Sequence, residues 1–143
     1  LDGFLKEFSV PVYACEAEKE LLESAQLNSS ASMLGQPYTF SGAEYVTNRQ
    51  NLKIAGFEIQ VIYTPGHTGG GCCYYIPAEN VLFSGDTLFH GSIGRTDLPT
   101  GSMGQLVNSI RDRLFVLPDE TKVYPGHMEE TTIGYEKKYN PFI

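Results

Sequence analysis

Three times in this chain a run of strand-forming residues breaks at a glycine, and a metal-ligating side chain follows one residue later. Ile59-Gln60-Val61-Ile62-Tyr63 leads into Thr64-Pro65-Gly66-His67-Thr68. Val81-Leu82-Phe83 leads into Ser84-Gly85-Asp86-Thr87-Leu88-Phe89, and Thr121-Lys122-Val123-Tyr124 into Pro125-Gly126-His127. β-Branched and aromatic residues suit the pleated surface of a sheet. Glycine lets the backbone turn sharply, so the next side chain projects from the end of the sheet. The pattern therefore presents an imidazole, a carboxylate and a second imidazole at three strand ends. Neutral imidazole and carboxylate suit zinc, iron or manganese, which makes His67, Asp86 and His127 candidate metal ligands.

The remaining composition narrows the classes. The chain of 143 residues has the length of one domain, read as 1–143, and could bury roughly two thirds of its extended surface. No apolar run approaches the ~20 residues of a membrane helix. Leu1-Asp2-Gly3 is neither a Met start nor a basic start before an apolar stretch. The chain is accordingly read as N-terminally incomplete or processed, with no secretory signal. A net charge of -7 argues against the basic footprint of a nucleic-acid binder, and Lys137-Lys138 is one basic pair on a solvated helix face. The three cysteines are Cys15, Cys72 and Cys73, and the adjacent pair faces opposite sides of a strand. That excludes a disulfide framework and a CxxC zinc finger, assigns Cys72 and Cys73 to strand packing, and points to a reducing, cytoplasmic compartment.

The periodicity gives the order of elements. Residues 1–8 have a helical spacing of apolar positions, and residues 9–14 read as a strand with Pro11 near its start. Residues 16–27 are predicted helical, with Leu21, Leu22 and Ala25 on one face. Residues 28–42 read as loop, followed by short strands at Tyr45-Val46, Leu52-Lys53-Ile54 and residues 57–63, the last two joined by an Ala55-Gly56 turn. Gly69-Gly70-Gly71 lacks the spacing of a phosphate loop and reads as a turn into a strand at residues 72–76. Residues 77–80 connect to the strand at Val81, and residues 88–101 read as irregular. Residues 102–117 form an amphipathic helix with Leu106, Ile110 and Leu114 on one face, Ser102 as N-cap and Pro118 beyond its end. A strand at residues 121–124 and a short helix at residues 131–139 complete the order. The order suits an α+β fold with helices outside paired sheets.

Thr64-Pro65-Gly66-His67-Thr68, Ser84-Gly85-Asp86-Thr87-Leu88-Phe89 and Tyr124-Pro125-Gly126-His127 resemble the later metal motifs of the metallo-β-lactamase superfamily, in its glyoxalase II-like branch. The likeness runs across nearly the whole chain and is strongest from Thr64 onward. It implies an αβ/βα sandwich, of which this chain is the C-terminal two thirds. It also implies two zinc ions per complete domain, with iron or manganese as alternatives. His67 would bind the first metal, His127 the second, and Asp86 would bridge both as the catalytic carboxylate. Two metals would lower the pKa of a shared water, and the hydroxide would attack a substrate carbonyl. The superfamily's first motif, HxHxDH, is absent, since the histidines are only His67, His90 and His127. Arg95 and Asp97, in Gly94-Arg95-Thr96-Asp97, either orient the bridging ligand or meet substrate, or form a loop salt bridge. His90 matches no ligand position and reads as a loop histidine.

The resemblance implies a metal-dependent hydrolase acting on a thioester such as S-lactoylglutathione. The closing Gly134-Tyr135-Glu136-Lys137-Lys138-Tyr139-Asn140-Pro141-Phe142-Ile143 resembles short bacterial glyoxalase II-like proteins. One alternative is a mononuclear iron enzyme of the persulfide dioxygenase type, a branch that also carries the Gly-Arg-Thr-Asp sequence. The other is a catalytically inert half-domain whose uncovered sheet face makes it self-associate as a homodimer. Neither a nucleic-acid nor a membrane partner is expected.

Overall fold

Residues 57–63, 72–76 and 81–85 alternate or run apolar between glycine-containing turns, and they form the centre of the sheet. The computed structural model describes residues 1–33 and 35–143. In it a six-stranded mixed sheet has the order β10-β9-β6-β5-β4-β3. Its strands are β3 (Asn51–Ile54), β4 (Phe57–Tyr63), β5 (Cys72–Ile76), β6 (Val81–Gly85), β9 (Lys122–Pro125) and β10 (Thr131–Thr132). β3 to β6 are an antiparallel meander, and β6 then pairs in parallel with β9. The Ala55-Gly56 turn expected between β3 and β4 is present, with both residues at positive φ.

Paired positions of neighbouring strands point their side chains to the same face. Cys73, Tyr75, Leu82 and Val123 bury one face against Leu106, Ile110, Leu114 and Ile133. Leu106, Ile110 and Leu114 recur every four residues on α4 (Met103–Ser109) and the wider π-turn Ile110–Leu114 that continues it. Ser102 caps α4, its hydroxyl accepting from the Gln105 N–H at 3.4 Å. Helix α5 (Ile133–Tyr139) lies on the same face, with Thr132 as its N-cap. The other face is covered in part by a two-stranded parallel sheet, β1 (Val12–Cys15) with β2 (Ala43–Val46), through Val46 on Leu52 and Val61. Beyond that cover Phe83 stays 46% exposed and stacks on Tyr124 with ring centroids 5.8 Å apart.

The outline agrees with the α+β expectation, and several elements differ in detail: the strand read over 9–14 is Val12–Cys15, and the helix read over 131–139 begins at Ile133 because Thr131–Thr132 pair with β9. The helix predicted over residues 16–27 is a 3-10 turn at Glu16–Glu18 and a five-residue α2 (Lys19–Glu23). Ser24 ends it, because its hydroxyl accepts the Leu27 N–H at 3.3 Å and offers the backbone an alternative to the helix. The predicted loop 28–42 contains a single helical turn, α3 (Ser30–Met33), opened by the Asn28 carboxamide accepting from Ser30 N–H at 2.9 Å. Leu34, in the same stretch, lies outside the described residues. The irregular stretch 88–101 holds a small hairpin, β7 (Leu88–Phe89) with β8 (Ser92–Ile93), turning at His90-Gly91 with Gly91 at φ +61°. Regular α-helix over 102–117 ends at Ser109, and Phe115 N–H closes the π-turn on the Ile110 carbonyl at 2.9 Å. The N-terminal helix over residues 1–8 is α1 (Asp2–Glu7).

Cys73 lies fully buried in this core, and burial pushes its thiol up to about 11. It is a packing residue with a protonated sulfur rather than a nucleophile. Leu106 is equally buried, and it also backs the loop that carries His67. Leu106→Ala is therefore expected to lower unfolding free energy by about 2–5 kcal/mol in a urea titration, whereas Val116→Ala on the exposed surface stays within about 0.5 kcal/mol.

Candidate metal centre

β6 runs parallel to β9, and β4 and β6 are both antiparallel to β5. The C-terminal ends of β4, β6 and β9 therefore lie at one end of the sheet. The three glycine breaks follow those three ends, so His67, Asp86 and His127 are delivered to one place.

The His67 loop is held from below and from both sides. Gly66 adopts φ +143°, and a β-carbon there would sit on the Leu106 backbone. The glycine thus lets the loop rest directly on α4, where Ser102 N–H donates to the Gly66 carbonyl at 2.8 Å and the Ser109 hydroxyl to the Pro65 carbonyl at 2.8 Å. The Glu18 carboxylate accepts from Gly70 N–H at 2.9 Å and from the Thr68 hydroxyl. The Tyr63 hydroxyl donates to the Gly69 carbonyl at 2.6 Å. Beneath the loop, the buried hydroxyls of Thr64 and Thr87 meet at 3.1 Å and tie the ends of β4 and β6. Gly126 N–H donates to the Gly85 carbonyl at 2.8 Å and ties β6 to β9.

Asp86 is the meeting point. His67 Nε2 lies 3.6 Å from Asp86 Oδ2, and His127 Nδ1 lies 2.8 Å from Asp86 Oδ1. A β-carbon on Gly126 would come 2.6 Å from that same Oδ1, so the glycine before His127 makes room for the carboxylate. His67 Nδ1 is 2.8 Å from the Arg95 carbonyl oxygen. A carbonyl only accepts, so Nδ1 carries the proton and, in the neutral ring, Nε2 presents a lone pair. That lone pair faces a carboxylate oxygen, so two acceptors converge on one space. A separation of 3.6 Å suits two ligand atoms each about 2 Å from a shared cation. The carbonyl on Nδ1 is the usual outer partner of a ligating imidazole. The pair His67 and Asp86 therefore fits one cation. His127 Nδ1 instead donates a hydrogen bond to the other oxygen at 2.8 Å, a direct contact with no cation-sized gap between the two atoms, and its side chain is 71% exposed. Among the described residues no group of three or more His, Cys, Asp or Glu closes around a single point. The chain thus supplies part of the three or four ligands a zinc ion takes.

These side chains line a cleft of about 290 Å³ with Phe89, Ser92, Ile93, Arg95 and Met128. A larger cleft, about 370 Å³, lies elsewhere around Leu22, Met33, Tyr38 and Phe40, and its lining carries no His, Asp or Glu. Chemistry rather than size places the centre at the smaller one. Arg95 and Asp97 form a bidentate pair, Nε to Oδ1 and Nη2 to Oδ2 at 2.7 Å each. The Arg95 guanidinium holds the Asp97 carboxyl down at about 2. The side chains thus make the loop salt bridge, while the Arg95 backbone orients His67. His90 points away from the centre, to Glu129 at 2.8 Å and edge-on to Tyr135. Phe89, which packs edge-on to His127 with centroids 5.9 Å apart, was not singled out by the sequence, and neither was Glu18. Only their sequence proximity to the motif or to an N-terminal acidic turn hinted at them.

Residues 1–127 match the family model of the metallo-beta-lactamase superfamily. The chain belongs to that superfamily. It is 38% identical over its whole length to a probable metallo-hydrolase, YqgX, of Bacillus subtilis, and covers 68% of that protein. Over 64% of this chain it is 45% identical to the hydroxyacylglutathione hydrolase GloC of Haemophilus influenzae, spanning 43% of that protein. Among solved structures it is similar to the BLEG-1 B3 metallo-beta-lactamase, with a TM-score of 0.90 and 44% identity over 99% of this chain and 68% of that one. The di-iron-bound form of TTHA1623 follows at 0.85 and 34%, covering 99% of this chain and 69% of that one. ETHE1 from Myxococcus xanthus gives 0.75 and 29%, over 98% and 54%. The chain thus spans about two thirds of YqgX and of the BLEG-1 and TTHA1623 proteins, and about half of ETHE1.

The Arg95 pair yields a direct check. The Asp97 carboxyl carbon is expected to titrate with a midpoint of about 2 in an NMR pH series, and Arg95→Ala to return it toward the ordinary 3.8. Because the folded value lies below the unfolded one, the pair favours the native state above about pH 4, and this contribution fades as pH falls through 2. A midpoint unchanged by Arg95→Ala contradicts the pairing.

Proposed function

We propose that the protein carrying this chain is a metal-dependent hydrolase of the glyoxalase II type, which cleaves a thioester such as S-lactoylglutathione. The observation that carries the reading is the His67 lone pair held against the Asp86 carboxylate by the Arg95 carbonyl. Likeness to the Haemophilus influenzae GloC protein supports the substrate class.

His67 and Asp86 would hold one cation, and Asp86 with His127, once turned from its direct hydrogen bond to that carboxylate, a second, two zinc ions in the first instance. When bound, such ions supply a water of lowered pKa and polarise a carbonyl. The protein's own residues do the rest. The Arg95 carbonyl keeps the His67 proton on Nδ1. Phe89, Ile93 and Met128 give the cleft an apolar wall that suits the carbon chain of an acyl group. Cys73 takes no part, being buried and protonated.

A second reading is a mononuclear iron enzyme of the persulfide dioxygenase type, supported by the likeness to ETHE1. Metal analysis with activity separates the two. The hydrolase reading expects zinc in the protein purified from its native gene, together with S-lactoylglutathione cleavage. His67→Ala and Asp86→Ala should each lower kcat/KM by at least about a hundredfold, since even outer partners of metal ligands cost 10- to 100-fold. A single iron with oxygen uptake selects the dioxygenase. A metal-free protein that leaves thioesters intact and runs as a dimer on sizing replaces both with self-association through the open Phe83 and Tyr124 face.

A further inference from the structure

We propose that Glu136 is a positioning residue for the cleft, which latches the β7–β8 hairpin and so sets the wall facing Asp86. The inference rests on reading that cleft as the substrate site. Glu136 is 1% exposed and, among the described residues, forms no ion pair. Its carboxylate is instead filled by hydrogen-bond donors. Gly91 N–H, at the tip of the hairpin, reaches both oxygens at 3.2 and 3.0 Å. The Thr131 hydroxyl donates to Oε1 at 2.6 Å, and Asn140 Nδ2 to Oε2 at 2.7 Å. Asn140 Nδ2 also donates to the Ser92 carbonyl at 3.1 Å, so the hairpin is held at two consecutive residues.

A two-by-two-residue hairpin cannot hold its own shape, since two strands alone are marginal in water. Yet three of its residues, Phe89, Ser92 and Ile93, line the cleft, and Phe89 packs against His127. Leu88 in the core and the Ser84 hydroxyl on the Leu88 carbonyl at 2.7 Å fix the first strand, and the latch holds the turn and the return strand. Placing a carboxylate in the core without a cation is costly unless its oxygens are hydrogen-bonded, and here both are. This also gives the closing segment from Gly134 a role: its Glu136 and Asn140, one helical turn apart, face the same hairpin.

The latch needs acceptors rather than charge. In Glu136→Gln the amide nitrogen can take the place of Oε1, where the Thr131 hydroxyl turns to accept from it, while the amide oxygen still receives Gly91 and Asn140. Glu136→Ala removes all of these bonds. Amide hydrogen exchange of Gly91 is compared with that of Val61, a fully buried residue of β4 that bonds to the Gln50 carbonyl just before β3, far from the hairpin. Glu136→Ala is expected to speed Gly91 exchange at least about tenfold more than Val61 exchange, and Glu136→Gln to stay within about threefold of wild type. If Glu136→Ala does not fold, Asn140→Ala gives the same comparison through the Ser92 arm. In the active protein, Glu136→Ala should raise KM for the thioester about fivefold or more with kcat within about twofold, and Glu136→Gln should restore it. Gly91 and Val61 exchanging in step, or a KM that does not move, overturns the latch. A wild-type protein that cleaves no thioester defeats the hydrolase reading alone, because the exchange comparison still decides the latch.

Discussion

The close approach of three backbones around one carboxylate is what the rest of the molecule serves. Asp86 Oδ1 lies where a side chain at residue 126 would have to go, and its other oxygen faces the His67 ring. Such crowding is stable only if the strands beneath cannot drift apart. The buried Thr64 and Thr87 hydroxyls, the Gly126 to Gly85 bond and the α4 residues beneath Gly66 together prevent that. The apolar core of Leu82, Leu106, Ile110 and Val123 lies directly below these ties. Stability and site geometry are therefore the same problem at this end of the sheet.

The strands and the helix α4 were legible because their signals are local. Val61, Cys73, Leu82 and Val123 sit in apolar runs bounded by glycine or proline, and Leu106, Ile110 and Leu114 repeat at a helical interval. The meeting of His67, Asp86 and His127 was legible for a related reason, since each follows a strand end. What could not be read is what depends on partners distant in sequence. The β7–β8 hairpin has two residues per strand, too few for a period, and its turn is tied to Glu136 and Asn140 more than 40 positions away. The parallel pairing of Val12 with Ala43 needs tertiary packing that no window displays. The early end of α2 turns on the direction of one Ser24 hydroxyl. Arg95 was read for its charge, yet it is its carbonyl that touches His67.

The 3.6 Å between His67 Nε2 and Asp86 Oδ2 leaves room for a shared cation, while among the described residues no three His, Cys, Asp or Glu close around one point. YqgX and the BLEG-1 protein, matched along the whole chain, are about half as long again. A partial shell with its outer hydrogen bonds already made is pre-organised, so further donors would find His67 in the correct tautomer without rearrangement.

The edges of the sheet have a consequence of their own. β3 forms one border and the two-residue β10 the other. An unpaired border is a template onto which a foreign strand can add, and short length or charge is the common defence. β10 is defended by brevity. β3 carries Lys53, which pairs with Glu58 of β4 at 3.7 Å with both side chains largely in water. A strand adding there would have to strip solvent from that pair. The chain thus guards against amyloid-like growth along its borders, even though the flat aromatic surface of Phe83 and Tyr124 is left open.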